Sequence, residues 1–554
     1  MPPTPTLTTL ICDSLEKVFP DERPRALNTD IPVVGYAGER TGFQIALYAD
    51  PASVPDELHT AAVTVTGPAG VTARLHRVEL VPVSHAAAAH VDPAEYLRTE
   101  PGLYPDLLEP MDEGERAEIV PGRWQSIWVI LDLERNVPNA TGTVEVEVTG
   151  AGEEPVRHQV PLELVGGELP PLGIVNTHWF HADGLTAWYG LEIFSEDWWQ
   201  VVAAFLRSAA GMSVNSVLTP VWTPPLDTEE GGTRLPTQLL GITEEAEGSY
   251  RFDTTQLQRW LDLARDAGIT YLEMPHLFTQ WGARATPAIY VDTPDGRERR
   301  FGWDVSATDP SYRRLLEQLL PALIAFLDRA WGLDRVLFHL SDEPNESHLE
   351  DYSAARDTVA DLLADVTVVD ALSSFEFYER GLVDHPIVAT DHTGPFLEAG
   401  ITPLWVYYCV SQDRGVANRF IAQPSTSNRV LGIQLYLAGA RGFLHWGFTF
   451  YNSQFSRRHL NPFLDTCAGG AFPGGDPFMV YPGPGGRPLA SIRYEVFAEA
   501  MLDHRVAQRL EAARGREAAR AVLDLPGPDG FGLPDITADD LRRRALEAAR
   551  ALRG

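Results

Sequence analysis

Residues Val336-Leu-Phe-His-Leu-Ser-Asp-Glu-Pro344 run an apolar segment straight into two adjacent carboxylates and a proline. The run reads as a short strand over Val336–Leu340 that Pro344 brings to an end, since proline cannot continue a ladder. Asp342 and Glu343 then stand at the carboxyl end of that strand. Strand–helix alternation recurs on both sides of this segment. Further strands are predicted at Ile174–Phe180, Val214–Pro220, Ile269–Pro275, Thr367–Leu372, Ile387–Asp391, Pro403–Cys409 and Gly442–Phe448. Helices fall between most of them, most clearly at Glu196–Ala210, Thr255–Ala267 and Ser311–Arg329, where apolar residues recur at i, i+3, i+4 and i+7. Eight such units over about 330 residues predict a TIM (β/α)8 barrel with insertions. An open doubly wound sheet is the alternative, but no glycine-rich phosphate loop follows the first strand.

The first 170 residues follow a different period. Alternating segments at Thr41–Ala49, Ala62–Thr66, Val71–Val83, Trp124–Leu133, Gly142–Val148 and Arg157–Val165 are separated by Gly, Pro, Asp and Asn. That pattern predicts a β-sandwich domain over 1–170. Gly166–Leu172 reads as a linker, 171–515 as the barrel and 516–554 as a helical tail. Within the tail, Thr537 begins an amphipathic helix with a capping-box-like start.

Composition limits what such a chain does. Of 554 residues, 77 are acidic and 44 basic, giving a formal charge of −33. That field opposes phosphate backbones and anionic lipid, so neither nucleic acid nor a membrane is an expected partner. Three scattered cysteines offer no disulfide framework and no cysteine metal site, and His181, His276 and His392 lack ligand spacing. No metal or other cofactor is therefore expected. The amino terminus shows no basic segment followed by an apolar one, and no run approaches about 20 apolar residues, which predicts a cytoplasmic protein. The sequence leaves a homo-oligomer open. The 13 tryptophans exceed what a core usually needs and suggest aromatic walls around a ligand.

In a TIM barrel, chemistry sits at the carboxyl ends of the strands. Those ends carry Trp179 and His181, Trp222, Glu273 and His276, His339 with Asp342 and Glu343, Asp391 and His392, Tyr407 and Tyr408, and His445 and Trp446. Carboxylates beside aromatic platforms are how proteins hold and cleave sugars, because C–H-rich ring faces stack on aromatics while carboxylates take hydroxyls and move protons. A carbohydrate is the expected substrate partner. Two neighbouring carboxylates repel, so one stays protonated nearer neutral pH, as a general acid requires. The competing reading of Asp342 and Glu343 is a helix N-terminus that complements the dipole. Trp405 and Tyr407 either line the site or fill the barrel. Tyr451, Asn452 and Gln454 after the last strand are sugar contacts or loop supports, and Asp476 is a hydroxyl partner or a turn residue. No Gly-x-Ser-x-Gly elbow supports a serine triad.

The segment His339-Leu-Ser-Asp-Glu-Pro344 resembles the catalytic motif of glycoside hydrolase family 123 and the related domain of unknown function 4091. Gly102-Leu-Tyr-Pro-Asp106 and Trp124-Gln-Ser-Ile-Trp128 are similar to that family's amino-terminal sandwich. Leu404-Trp-Val-Tyr-Tyr-Cys409 and Arg441-Gly-Phe-Leu-His-Trp-Gly447 resemble its seventh and eighth strands, and Gly474–Gly483 with Ser491-Ile-Arg493 its late loop and final helix. The resemblance implies a β-N-acetylhexosaminidase-like enzyme of N-acetylgalactosaminidase type, with a substrate-assisted retaining mechanism. Glu343 would be the general acid/base, and Asp342 would orient the 2-acetamido group. From the residues alone, the seventh strand ends in Tyr407-Tyr408-Cys409, with no carboxylate to act as nucleophile. That leaves substrate assistance, or Glu343 paired with a distant carboxylate (Glu273, Asp391 or Glu376) on a sugar lacking the acetamido group. A carbohydrate-binding relative without catalysis is the third reading.

Overall fold

The computed structural model describes residues 7–51, 59–150, 154–527 and 530–553, so the extreme amino terminus read above lies outside the described residues. The chain forms two compact units. The first comprises residues 1–173 with 414–437 and 489–554; the second comprises 174–413 and 438–488.

The first unit holds two five-stranded sheets. One has the order Leu7–Asp13, Arg40–Ala49, Gln125–Leu133, Val71–Val83, Gly102–Pro110; the other runs Val33–Tyr36, Val156–Val165, Ala140–Gly150, His59–Thr66, Arg116–Ile119. Alternate residues of both sheets, among them Phe43, Ile45, Val129, Val144, Val146 and Leu162, enter one apolar core, which makes the pair a sandwich. All six strands predicted by alternation are present. Of the four others, Val33–Tyr36 and Arg116–Ile119 are short and Gly102–Pro110 is broken by glycine and proline, while Leu7–Asp13 shows no clean alternation. The same unit carries the helices Ile492–Arg514, Arg516–Leu523 and Ala538–Arg553, whose apolar faces share a second core with Trp128, Ile130 and Leu108. At the start of the last helix Thr537 and Asp540 exchange side-chain-to-backbone hydrogen bonds, as the capping pattern predicts.

The second unit is a closed parallel barrel of eight strands: β1 (Val175–His178), β2 (Ser216–Leu218), β3 (Tyr271–Glu273), β4 (Val336–Phe338), β5 (Thr367–Leu372), β6 (His385–Ala389), β7 (Trp405–Tyr407) and β8 (Gly442–His445). With the sandwich ahead of it, this is the TIM-barrel architecture expected. Each strand overlaps the segment expected from sequence: β5 matches it, β6 begins and ends two residues earlier, and the other six are shorter. Pairing of β8 with β1 closes the ring. One excursion carries no barrel strand. Between β2 and β4, residues 241–246, 249–253, 289–293 and 296–301 build a separate four-stranded sheet.

Strand alternation decides which side chains can reach the barrel mouth. Val175, Leu337, Val369, Ile387 and Trp405 fill the interior with Ala371, Ala389, Tyr407 and Leu444. Trp405 needs Gly442 beside it, because a Cβ there would sit 2.5 Å from the indole. Tyr407 shares this inward parity; Tyr408 and His445 have the opposite one. Tyr408 packs on Phe443 at 4.9 Å and on His445 at 5.4 Å between ring centroids. No helix among the described residues is long and apolar enough to cross a membrane.

Candidate active site

A cavity of about 220 Å³ opens at the carboxyl ends of the barrel strands, with Asp342 and Glu343 in its wall. A cavity of about 150 Å³ takes a benzene ring, so this space matches one substituted six-membered ring. Trp179, Trp281, Trp446 and Phe472 provide its aromatic surfaces, and Tyr407, Gln280, Gln454 and Asp227 its further polar groups.

The carboxylate pair is aimed by β5 and β7. Asp370 on β5 accepts the Leu340 amide at 2.9 Å, and the Glu343 amide donates to Ala371 O at 3.2 Å. Glu343 has φ +42°, a left-handed conformation that a glutamate holds only where its surroundings impose it. The helix-cap alternative does not apply. Asn345 caps the following turn by accepting the Ser347 amide, in a capping box with His348.

The two carboxyls have different surroundings. Tyr407 Oη donates to Glu343 Oε1 at 2.7 Å, with Cys409 Sγ 3.7 Å from the same oxygen. Burial raises the Glu343 pKa, the Tyr407 and Cys409 contacts oppose that rise, and the charge of Asp391 adds to it. Asp342 receives no hydrogen bond from any described residue and faces the cavity. Burial and then the Glu343 charge push its pKa well above the carboxylate range, Asp370 and Asp227 add to the push, and His339 opposes it.

Beneath the pair lies a buried ionic chain. His339 Nε2 is 3.2 Å from Glu273 Oε2, and its Nδ1 is 3.4 Å from Asp370 Oδ1. Burial works against an imidazolium here, yet the contacts and charges of Asp370 and Glu273 outweigh it and raise His339 to about 9. Glu273 also accepts from Thr177 Oγ1 at 2.7 Å and from Trp179 Nε1 at 2.8 Å. It therefore anchors the Trp179 floor from inside the barrel and does not line the cavity.

His276, His339 and Asp370 bring donor atoms within 4.8 Å of one another and could hold a metal ion. Two of the three are already engaged. His339 bridges the carboxylates, and Asp370 also accepts the Tyr352 hydroxyl and the Leu340 amide. His276 stacks near His339 at 4.5 Å with neither ring nitrogen hydrogen-bonded, and burial, then His339, keeps it neutral.

Of the residues singled out from sequence, Trp179, Asp342, Glu343, Tyr407, Trp446 and Gln454 converge on the cavity. Others stand one layer behind it. Asp476 accepts from Trp446 Nε1 at 2.7 Å and lies 3.3 Å from His445, fully buried, so it holds an indole rather than a sugar hydroxyl. His181 lies between Trp446 O and Arg234, and Arg234 is paired with Asp183 at 2.7 Å. Trp222 donates to His276 O, and Tyr451 to Val480 O. Asn452 Oδ1 meets His459 Nδ1 at 2.6 Å. Asp391 stays on the exposed rim, bound to Gln412 and His392. Trp405, Tyr408 and His445 are packing residues of the barrel wall.

Four of the cavity residues named above, Asp227, Gln280, Trp281 and Phe472, are not singled out by the sequence pattern. Asp227 and Trp281 sit in long loops after β2 and β3, where no periodicity marks a position. Trp281 is 40% exposed, large exposure for an indole, and its amide donates to Asp342 O at 3.0 Å. Only the accumulation of Gln, Thr and Trp in those loops could have signalled them.

A TIM barrel whose fourth strand ends in paired, pKa-raised carboxyls within an aromatic cavity defines a glycoside hydrolase. The comparisons agree. The family model described as glycoside hydrolase 123, catalytic domain, matches residues 179–510. This chain belongs to glycoside hydrolase family 123. A family 123 enzyme from Clostridium perfringens, solved in a study of glycolipid glycan hydrolysis, superposes with TM-score 0.74 at 14% identity, covering 99% of this chain and 98% of that one. A family 39 glycoside hydrolase from Bacteroides cellulosilyticus aligns over 86% of this chain and 82% of its own at 10% identity, with TM-score 0.33. None of the curated proteins matches the sequence.

Proposed function

We propose that this glycoside hydrolase cleaves an N-acetylhexosamine from a glycan, of N-acetylgalactosaminide type, by a substrate-assisted retaining mechanism. Glu343 protonates the leaving oxygen and then activates water, a role that needs a carboxyl whose pKa stands above the ordinary range. Asp342 takes the 2-acetamido N–H. It thereby turns the amide oxygen toward the anomeric carbon and steadies the positive charge of the oxazolinium-like intermediate.

The observation that carries this reading is the Asp342 carboxyl. It neighbours Glu343 in sequence, faces the cavity, and has no hydrogen-bond partner among the described residues. A carboxyl that lines the cavity without a protein partner is open to a donor from a bound ligand. A protein nucleophile needs a second carboxylate about 5–5.5 Å from the acid. The β7 end offers Tyr407 and Cys409 instead. Glu273 is occupied by three donors inside the barrel, and Asp391 is bound on the rim. The glycolipid glycans hydrolysed by the C. perfringens enzyme are a substrate class to include in trials.

The test is a panel of nitrophenyl glycosides assayed with wild type and Glu343→Gln. Cleavage of N-acetylated substrates in preference to their 2-hydroxyl analogues, lost in Glu343→Gln, supports the proposal. Equal cleavage of both removes substrate assistance. Sugar binding without cleavage of any glycoside removes the enzymatic reading of this pocket.

A further inference from the structure

A third carboxyl faces the cavity. Asp227 lies in the loop after β2, and its Oδ2 accepts the Phe455 amide at 3.0 Å. Its other oxygen takes no hydrogen bond from any described residue. The backbone of Asp227 is locked from both sides: its amide donates to Gln280 Oε1, and its carbonyl accepts from Ser456 Oγ at 2.7 Å. These bonds hold it at φ +38°, left-handed without a glycine. Phe455 (φ +61°), Ser456 (φ +53°) and Trp281 (φ +56°) share that conformation. Of the nine left-handed non-glycine residues described, Asp227, Trp281 and Glu343 line this cavity, and Phe455 and Ser456 hydrogen-bond Asp227. Strain of that kind persists where the surroundings over-determine it, and it clusters at ligand clamps.

No lysine or arginine among the described residues lines the cavity. Arg234, whose charge reaches Asp227, spends its guanidinium on Asp183, His181 and Leu226 O. Burial raises the Asp227 carboxyl to about 6, with the Phe455 amide and Arg234 opposing, so it is ionised at neutral pH. Asp342 and Glu343 line the same pocket, so three carboxyls and no basic side chain face a bound sugar.

We infer that Asp227 is a specificity-determining residue: its free oxygen accepts a sugar hydroxyl, and its charge excludes sugars bearing sulfate or carboxylate in this pocket. The inference rests on the reading of the cavity as the sugar site, and it does not depend on the acetamido mechanism. A hydroxyl donates to a carboxylate in a strong charge-assisted bond. An anionic substituent at the same place meets a like charge in a pocket that no lysine or arginine lines.

The experiment measures kcat/KM for a neutral nitrophenyl glycoside and for its 4-O- and 6-O-sulfated forms, with wild type, Asp227→Asn and Asp227→Ala. The parent sugar is whichever one wild type cleaves best, N-acetylated or not. Failure of the acetamido reading and failure of this one are therefore separate results. An asparagine oxygen still accepts the Phe455 amide, so Asp227→Asn keeps the loop, and a thermal melt checks both variants. The expected result is a wild-type preference of at least 100-fold for the neutral substrate, narrowed at least tenfold in both variants, with the neutral loss appearing in KM. Equal factors for neutral and sulfated substrates would overturn the inference, as would collapse of kcat on the neutral substrate with an inverted product, which would make Asp227 the base.

Discussion

Tyr407 donates its hydroxyl to Glu343 Oε1 at 2.7 Å, reaching from β7 to the end of β4. The bond favours the ionised carboxylate, so it moderates the pKa that burial raises. In Tyr407→Phe the Glu343 pKa climbs further. A general acid works while protonated, so the basic limb of the kcat/KM profile moves to higher pH, and kcat falls about tenfold as the carboxyl loses its orientation. A pH–rate profile of the variant checks this; a limb that stays put or moves down contradicts it.

Asp342→Asn removes the carboxylate proposed to hold the acetamido group while keeping its size. Loss of a preorganised group that acts on developing charge costs on the order of 10²–10³ in kcat. The expected outcome is a drop of that size on N-acetylated substrates. The melting temperature should hold or rise, because Asp342 has no protein partner to lose and burial disfavours its charge. Steady-state kinetics with a parallel melt measure both.

His339 links protonation to stability. Its folded pKa of about 9 stands above the ordinary 6.5. The stabilisation is complete below about pH 6.5 and is lost as pH rises through 9, a difference of roughly 3 kcal/mol across that window. In His339→Gln the buried Glu273 and Asp370 lose their shared cation. Denaturant titrations at pH 6.5 and 9.5 should show the gap between wild type and variant shrinking at the higher pH. A gap independent of pH would mean that His339 is neutral.

Asp476 acts through Trp446. In Asp476→Ala the indole N–H loses its acceptor, an unsatisfied buried group worth about 1–3 kcal/mol. The loosened platform should raise KM about tenfold and leave kcat within a factor of three. A change confined to kcat would place Asp476 in the chemistry instead.

The barrel was legible because its strands are short apolar runs and three of the helices between them have a clear 3.6 period, and neither signal depends on distant partners. The pair at Asp342 and Glu343 was legible because it terminates such a run. Residues one step further out were not. Tyr407 and Tyr408 look alike in sequence, and only the strand parity sends the first inward and the second against Phe443. Glu273 and Asp476 stand at the right heights but are consumed by Trp179 and Trp446. Asp227 and Trp281 take left-handed conformations without glycine, in loops fixed by contacts more than fifty residues away, so no local pattern encodes them. The tryptophan surplus also divides. Trp179, Trp281 and Trp446 face the cavity, whereas Trp128, Trp198, Trp222 and Trp260 are fully buried packing.

The account rests on the substrate's own amide oxygen attacking the anomeric carbon while Asp342 holds the amide. Successive fluorination of the N-acetyl methyl group weakens that oxygen as a nucleophile and barely changes its size. The most direct measurement is kcat/KM for wild type on a nitrophenyl N-acetylhexosaminide and its mono-, di- and trifluoroacetyl analogues. The account predicts a steep, monotonic fall of at least tenfold across the series. Rates that are flat or rise with fluorination would contradict it.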